Sequence, residues 1–148
     1  MPENKFYTIT RKNLFDLFER LAESHRIVVP YRKGERLYFD YFDPQKTDLI
    51  ELGGIRQSQP MKSFLNPSRE RILGTQAERR PSKPLILAGV KGCDLSSLIL
   101  QDFVFLQGDC EDPFYAENRK KTILIGSDCT YAAETCFCLA MDGAPYPR

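Results

Sequence analysis

Apolar residues recur along this chain with two different periods. Over residues 10–24, Leu14, Leu17, Phe18 and Leu21 fall at the i, i+3, i+4, i+7 spacing of one helical face, and Thr10 supplies an N-cap hydroxyl. The pattern then becomes β-rich. Residues 26–31 and 35–42 are dense in β-branched and aromatic side chains, and Arg32-Lys33-Gly34 between them predicts a hairpin turn. Residues 47–52 read as a further short strand before the Gly53-Gly54 break.

Residues 55–84 lose this periodicity. Pro60, Pro67, Pro81 and Pro84 punctuate them, basic side chains recur, and a short helix over 68–73 is compatible with the pattern. The segment reads as a solvated connection or as a docking surface for a partner. From Leu85 the signal sharpens. Leu85-Ile86-Leu87-Ala88-Gly89-Val90 is an unbroken apolar run, as in a strand buried on both faces. Asp94 is placed to cap a helix through Leu95, Leu98, Ile99 and Phe103. After a polar stretch over 108–121, Thr122-Ile123-Leu124-Ile125-Gly126 forms a second buried-strand run. Strand, helix, strand at this length predicts a βαβ unit with two neighbouring parallel strands. The expected architecture is one α/β domain. It comprises a helix and β-hairpin region (1–54), a Pro/Arg-rich connection (55–84), and a small parallel sheet with a cysteine-rich C-terminal loop (85–148).

Five cysteines among 148 residues change the picture, because all of them follow that first buried run: Cys93, Cys110, Cys129, Cys136 and Cys138. With no apolar leader at the N-terminus and no run long enough to span a membrane, the chain reads as cytoplasmic, where thiols stay reduced. Clustered thiols there point to metal ligation or redox chemistry. In a parallel sheet the C-terminal ends of both strands share one edge, where open α/β folds place ligands. Cys93 and Cys129 each follow a strand end closely, and Cys136 and Cys138 lie on the loop leaving the same edge. Four such thiolates suit a tetrahedral Zn²⁺ or a [4Fe–4S] cubane. Cys110 falls at the opposite edge and reads as a non-ligand. The same residues are also compatible with buried inert thiols, or with a redox-active pair at Cys136 and Cys138.

Other features narrow the function. Twenty-one basic against 20 acidic side chains leave a formal charge of +1, without the basic excess of nucleic-acid binders. The single histidine, His25, sits at the end of the first helix, where it suits the helix dipole, and a Cys–His or Ser–His catalytic pair has no support. Gly89 and Gly92 do not form a dinucleotide fingerprint. Asp128 and Glu134 lie near the proposed site, and Phe137, between two proposed ligands, would shield a cluster from water.

Gly89-Val90-Lys91-Gly92-Cys93-Asp94-Leu95, Asp112-Pro113-Phe114-Tyr115, and Cys129 with Glu134-Thr135-Cys136-Phe137-Cys138 together resemble the N-terminal region of sulfhydrogenase beta subunits and of the iron–sulfur electron-transfer subunit of anaerobic sulfite reductase. Pro60-Met61-Lys62-Ser63-Phe64-Leu65-Asn66-Pro67 is similar to a segment of the same proteins. The resemblance runs from about Ile55 to the C-terminus. It implies a non-catalytic electron-transfer subunit of a hydrogenase-type or sulfite-reductase-type oxidoreductase complex of anaerobic metabolism. The implied iron–sulfur cluster is held at Cys93, Cys129, Cys136 and Cys138. The implied partners are a ferredoxin-like protein or domain, a flavin- and nicotinamide-binding subunit, and a catalytic subunit. Family members continue into a dicluster ferredoxin domain that this chain lacks, so it reads as a fragment or as a naturally split subunit. The alternatives are a scaffolding subunit with zinc or no metal, and a thiol-redox or sulfur-carrier protein using the C-x-C pair.

Overall fold

A computed structural model describes residues 6–66 and 83–147. Helix α1 (Arg11–Ala22) begins at Thr10, whose side chain accepts a hydrogen bond from the Asn13 N–H at 3.2 Å. Its inward face carries Leu14, Phe15, Phe18 and Leu21, with Phe18 fully buried. Leu17, expected on that face, is 43% exposed, and Phe15 packs instead against Phe18 and Phe42. His25 lies beyond the helix end, its ring 2.7 Å from the Ser24 hydroxyl.

Strands β1 (Arg26–Lys33) and β2 (Arg36–Tyr41) form the expected antiparallel hairpin. The turn is one residue later than the sequence predicts, at Gly34-Glu35. Gly34 takes φ +62° at the first central position while Glu35 does not, the pattern of a type II′ turn. Strand β3 (Leu85–Val90) is buried at every residue and pairs in parallel with β1 on one side and with β4 (Thr122–Gly126) on the other. The result is one mixed four-stranded sheet in the order β2-β1-β3-β4, an α/β fold as expected.

Pro30 explains how this sheet opens at one end. It has no N–H to give a neighbour, and the β1–β3 pairing stops at Val28. Gly89 beside it takes φ +83°, which few L-residues adopt, and a Cβ there would lie 2.8 Å from the Pro30 ring. The space left by β3 is taken by the segment after the hairpin. Residues 47–52 do not form the expected strand. Asp43 caps a 3₁₀ helix (Pro44–Leu49), and only Ile50 bridges into the sheet, opposite Tyr31, with the Glu51 N–H donating to the Pro30 carbonyl at 2.9 Å.

Alternation along the strands builds two cores. Ile27, Val29, Ile86 and Ala88 face α1, whereas Val28, Leu85 and Leu87 face the helices of the β3–β4 crossover. That crossover holds two helices, α2 (Gly92–Leu106) and α3 (Pro113–Lys120). The second lies in the stretch expected to be merely polar. Asp112 caps it through the Phe114 and Tyr115 N–H groups at 2.9 and 3.0 Å, with Pro113 at the first helical position. Tyr115, 1% exposed, donates to Asp102 of α2 at 2.6 Å, and Arg119 pairs with the same carboxylate. Helix α2 buries Leu98 and packs Leu95, Phe105 and Leu106 inward, while Ile99 and Phe103 are 71% and 61% exposed. The helix expected over 68–73 lies outside the described residues. Among the described residues no helix is long and apolar enough to cross a membrane.

Candidate functional site

The parallel pairing of β3 and β4 brings both chain exits to the same edge. The Ser127 N–H donates to the Val90 carbonyl at 2.9 Å, so the two exits stay together one residue beyond the ladder. Cys93 follows as the second residue of α2 and Cys129 as the third residue after β4. Cys93 is thus inside the first turn rather than ahead of the helix. Asp94 is not the cap either. Lys91 holds that position without a side-chain cap, and Asp94 lies in the first turn.

The C-terminal segment folds back over this edge. The Cys129 N–H donates to the Pro145 carbonyl at 2.8 Å, and Gly92 leaves room for the Tyr146 and Ala144 carbonyls, which a Cβ there would meet at 2.8 and 3.0 Å. Between these contacts the chain makes a tight turn at 133–136, in which the Ala133 N–H donates to the Cys136 Sγ at 3.3 Å. A 3₁₀ turn follows (Cys138–Met141), closed by Asp142 at φ +55° and by the Gly143 N–H donating to the Cys138 carbonyl at 2.7 Å. The fold-back returns Cys136 and Cys138 to the edge where Cys93 and Cys129 emerge.

All four thiols line one cavity of about 260 Å³. Its opposite wall is the loop carrying Ile55, Arg56, Gln57 and Met61, with Phe39 beneath. Arg56 holds φ +60°, which a non-glycine residue rarely adopts. Cys110 is exposed on the loop after α2, and a 15-residue helix separates it from Cys93 by about 20 Å of axial rise. All five cysteines are free. Phe137 lines the cavity yet is 70% exposed, so in this conformation it covers the sulfurs only in part. Asp128 and Glu134 do not line the cavity.

Cys129 lies within electrostatic range of Cys93, Cys136 and Cys138. Burial pushes the Cys129 thiol above its ordinary pKa, Lys91 pulls it down, and Cys136 and Cys138 push it up again. Burial, then Asp94 and more weakly Cys129, raise Cys93. Burial also raises the Asp94 carboxyl, while the Lys91 backbone N–H and side-chain charge oppose the rise. Among the described residues no three His, Cys, Asp or Glu side chains stand close enough to hold a single metal ion. A tetrahedral zinc site, with sulfurs about 2.3 Å from one ion, is therefore not preformed. A cubane gives each cysteine its own iron, so its sulfurs are spaced more widely around a cavity. Four cysteines lining one cavity match the number and type of donors such a cluster takes.

Sequence reasoning missed the burial of Lys91 beside the cavity and the wall at 55–61. The signal for the first was present in the chain, since Lys91 directly abuts an unbroken apolar strand. The wall carries no comparable pattern. No protein-family model, curated protein or solved structure matches the chain.

Proposed function

We propose that this chain is a cytoplasmic electron-transfer subunit that binds a [4Fe–4S] cluster through Cys93, Cys129, Cys136 and Cys138. The observation that carries this reading is the cavity. The four cysteines expected as ligands all line it, and the fifth lies on the loop beyond the far end of α2. When bound, the cluster supplies a site that takes up and releases one electron. The remaining work falls to the chain. The two strand exits and the 133–143 fold-back hold the thiols around one space. Burial raises Cys93 and Cys129 above the ordinary thiol range, so ligation releases protons and strengthens as pH rises. Phe137, Leu139 and Met141, each 70% exposed or more, make an apolar rim suited to close approach by a partner. With the resemblance described above, this rim supports partners of three kinds: a ferredoxin-like protein or domain, a flavin-binding subunit, and a hydrogenase-type or sulfite-reductase-type catalytic subunit.

Anaerobic reconstitution with iron and sulfide tests the reading. The expected product is brown and carries about four irons per chain. Cys136→Ser should abolish the colour and Cys110→Ser should leave it. A colourless chain with one tightly held zinc would replace this reading with the scaffolding one. A metal-free chain whose C-x-C pair cycles between dithiol and disulfide would replace it with the thiol-redox one.

A further inference from the structure

Lys91 is the one buried charged side chain among the described residues, at 2% exposure. Its Nζ donates to the Leu52 carbonyl at 2.6 Å, the Ser127 Oγ at 2.8 Å and the Asp128 carbonyl at 3.1 Å. The Ser127 hydroxyl itself donates to the Leu52 carbonyl at 2.7 Å, so it meets the lysine with a lone pair. Three acceptors around one nitrogen complement an ammonium, whose three N–H bonds they use up. A neutral amine has only two. No carboxylate among the described residues pairs with this nitrogen. A buried cation met only by neutral acceptors is costly unless an anion lies nearby. Burial pulls the Lys91 pKa down, and the groups that oppose this are Cys129, Asp94, Asp128 and Cys93, so the site's sulfurs share the role with two carboxylates.

The three acceptors belong to the segments that build the site. Lys91 leaves β3 two residues before Cys93, and Ser127 and Asp128 leave β4 just before Cys129. Leu52 precedes Gly53, whose carbonyl accepts from the Thr130 N–H at 3.1 Å, at the start of the loop that forms the opposite wall. Lys91 also lines the cavity, but with all three N–H bonds engaged it acts on the contents through its charge.

We propose that Lys91 is a positioning residue that pins the three chain segments around the cysteine cavity, and that its ammonium is the fixed counter-charge for the anionic sulfur site. The counter-charge half rests on the cluster reading above, whereas the pin half stands without it. The sulfurs become anionic on ligation, and an electron added to a cluster deepens that negative charge. A fixed cation behind them therefore favours the reduced form.

Two variants of the full chain separate the halves. Lys91→Met keeps the length of the side chain and removes its charge and donors. Ser127→Ala keeps the charge and removes one acceptor. Backbone hydrogen–deuterium exchange on the metal-free chain reads the pin. Exchange over residues 52–54 and 127–130 should accelerate in both variants, at least about tenfold in Lys91→Met. Unchanged exchange in Ser127→Ala and Lys91→Met overturns the pin. If Lys91→Met does not fold, Ser127→Ala alone decides it. Redox titration of the anaerobically reconstituted chains, followed by paramagnetic resonance, reads the counter-charge. Lys91→Met should have a lower midpoint potential than the parent chain, and Ser127→Ala an unchanged one. Equal potentials, or a Ser127→Ala shift as large as that of Lys91→Met, overturn the counter-charge. A parent chain that takes up no iron overturns the cluster reading and the counter-charge with it, while the exchange result still judges the pin.

Discussion

Strands β3 and β4 are written in similar letters, Leu-Ile-Leu-Ala-Gly-Val and Thr-Ile-Leu-Ile-Gly, and lie side by side in the same direction. Every residue of β3 is buried, yet Ile123 and Ile125 of β4 keep 50% and 38% of their surface exposed. The difference comes from neighbours. Strand β3 lies between β1 and β4, with α1's core on one face and the α2–α3 core on the other. Strand β4 is the sheet edge. Its Ile123 and Ile125, level with Ile86 and Ala88, are absent from the core that α1 makes over β1. An apolar run therefore reports that a strand is suited to burial, while cover depends on elements far away in sequence. In one respect the strands are equivalent, since each is followed three residues later by a cysteine that lines the same cavity.

That equivalence is open to the largest test. Cys93→Ser and Cys129→Ser should each remove all bound iron after reconstitution. Stability of the metal-free chain should move by no more than about 0.5 kcal/mol in urea unfolding, since neither thiol is in the core. A variant of one strand exit that kept its full cluster while the other lost it would show that the two cysteines do not share a site.

The inequality of the strands is tested next. Leu87→Ala should cost about 2–5 kcal/mol, because Leu87 is fully buried between β1 and β4. Ile125→Ala should cost about 1 kcal/mol or less, because its side chain still meets water. Comparable losses in the two variants would mean that the outer face of β4 is covered in solution. The crossover joining the two strands contributes less. Tyr115→Phe removes the hydroxyl that bonds Asp102 and should cost about 1–2 kcal/mol, with Arg119 still holding the carboxylate.

The smallest effect is at the cavity itself. Burial raises the Asp94 carboxyl above its unfolded value, so the fold binds that proton more tightly than the unfolded chain does. Its ionised form therefore works against folding at neutral pH. The penalty fades as pH falls through the raised folded value, and it is gone below the ordinary carboxylate range. Asp94→Asn should stabilise the metal-free chain at pH 7 by less than about 1 kcal/mol, and leave it unchanged well below that range. A loss of stability at pH 7 would show that the Lys91 backbone N–H and charge outweigh burial.

Much of the fold was legible because its signals are local. Thr10 with Leu14, Phe18 and Leu21 encodes a capped amphipathic helix, and Gly34 between two β-rich runs encodes a turn. Residues 47–52 misled because their β-like letters follow Asp43-Pro44, and that cap and proline start a 3₁₀ helix. Helix α3 was hidden for the opposite reason. Eight residues that bury only Tyr115 show almost no apolar period, although Asp112-Pro113 marks the helix start. At the site, strand direction put Cys93 and Cys129 at one edge and Cys110 at the other, while Cys136 and Cys138 were placed only through the loop that follows β4. The wall at Ile55, Arg56 and Met61 was not legible, since it depends on where β3 parts from β1 beside Pro30.

By itself, the order of residues determined the four strands, helices α1 and α2, and the edge at which Cys93 and Cys129 emerge. All of these follow from periodicity and from chain direction, which adjacent residues carry. Only the tertiary structure decided that α1 covers β1 and leaves β4 open, that Lys91 is buried among three acceptors from two distant segments, and that the C-terminal residues fold back to bring Cys136 and Cys138 to the rim. Burial and enclosure are properties of what lies across a contact, and no local pattern names the residue on the other side.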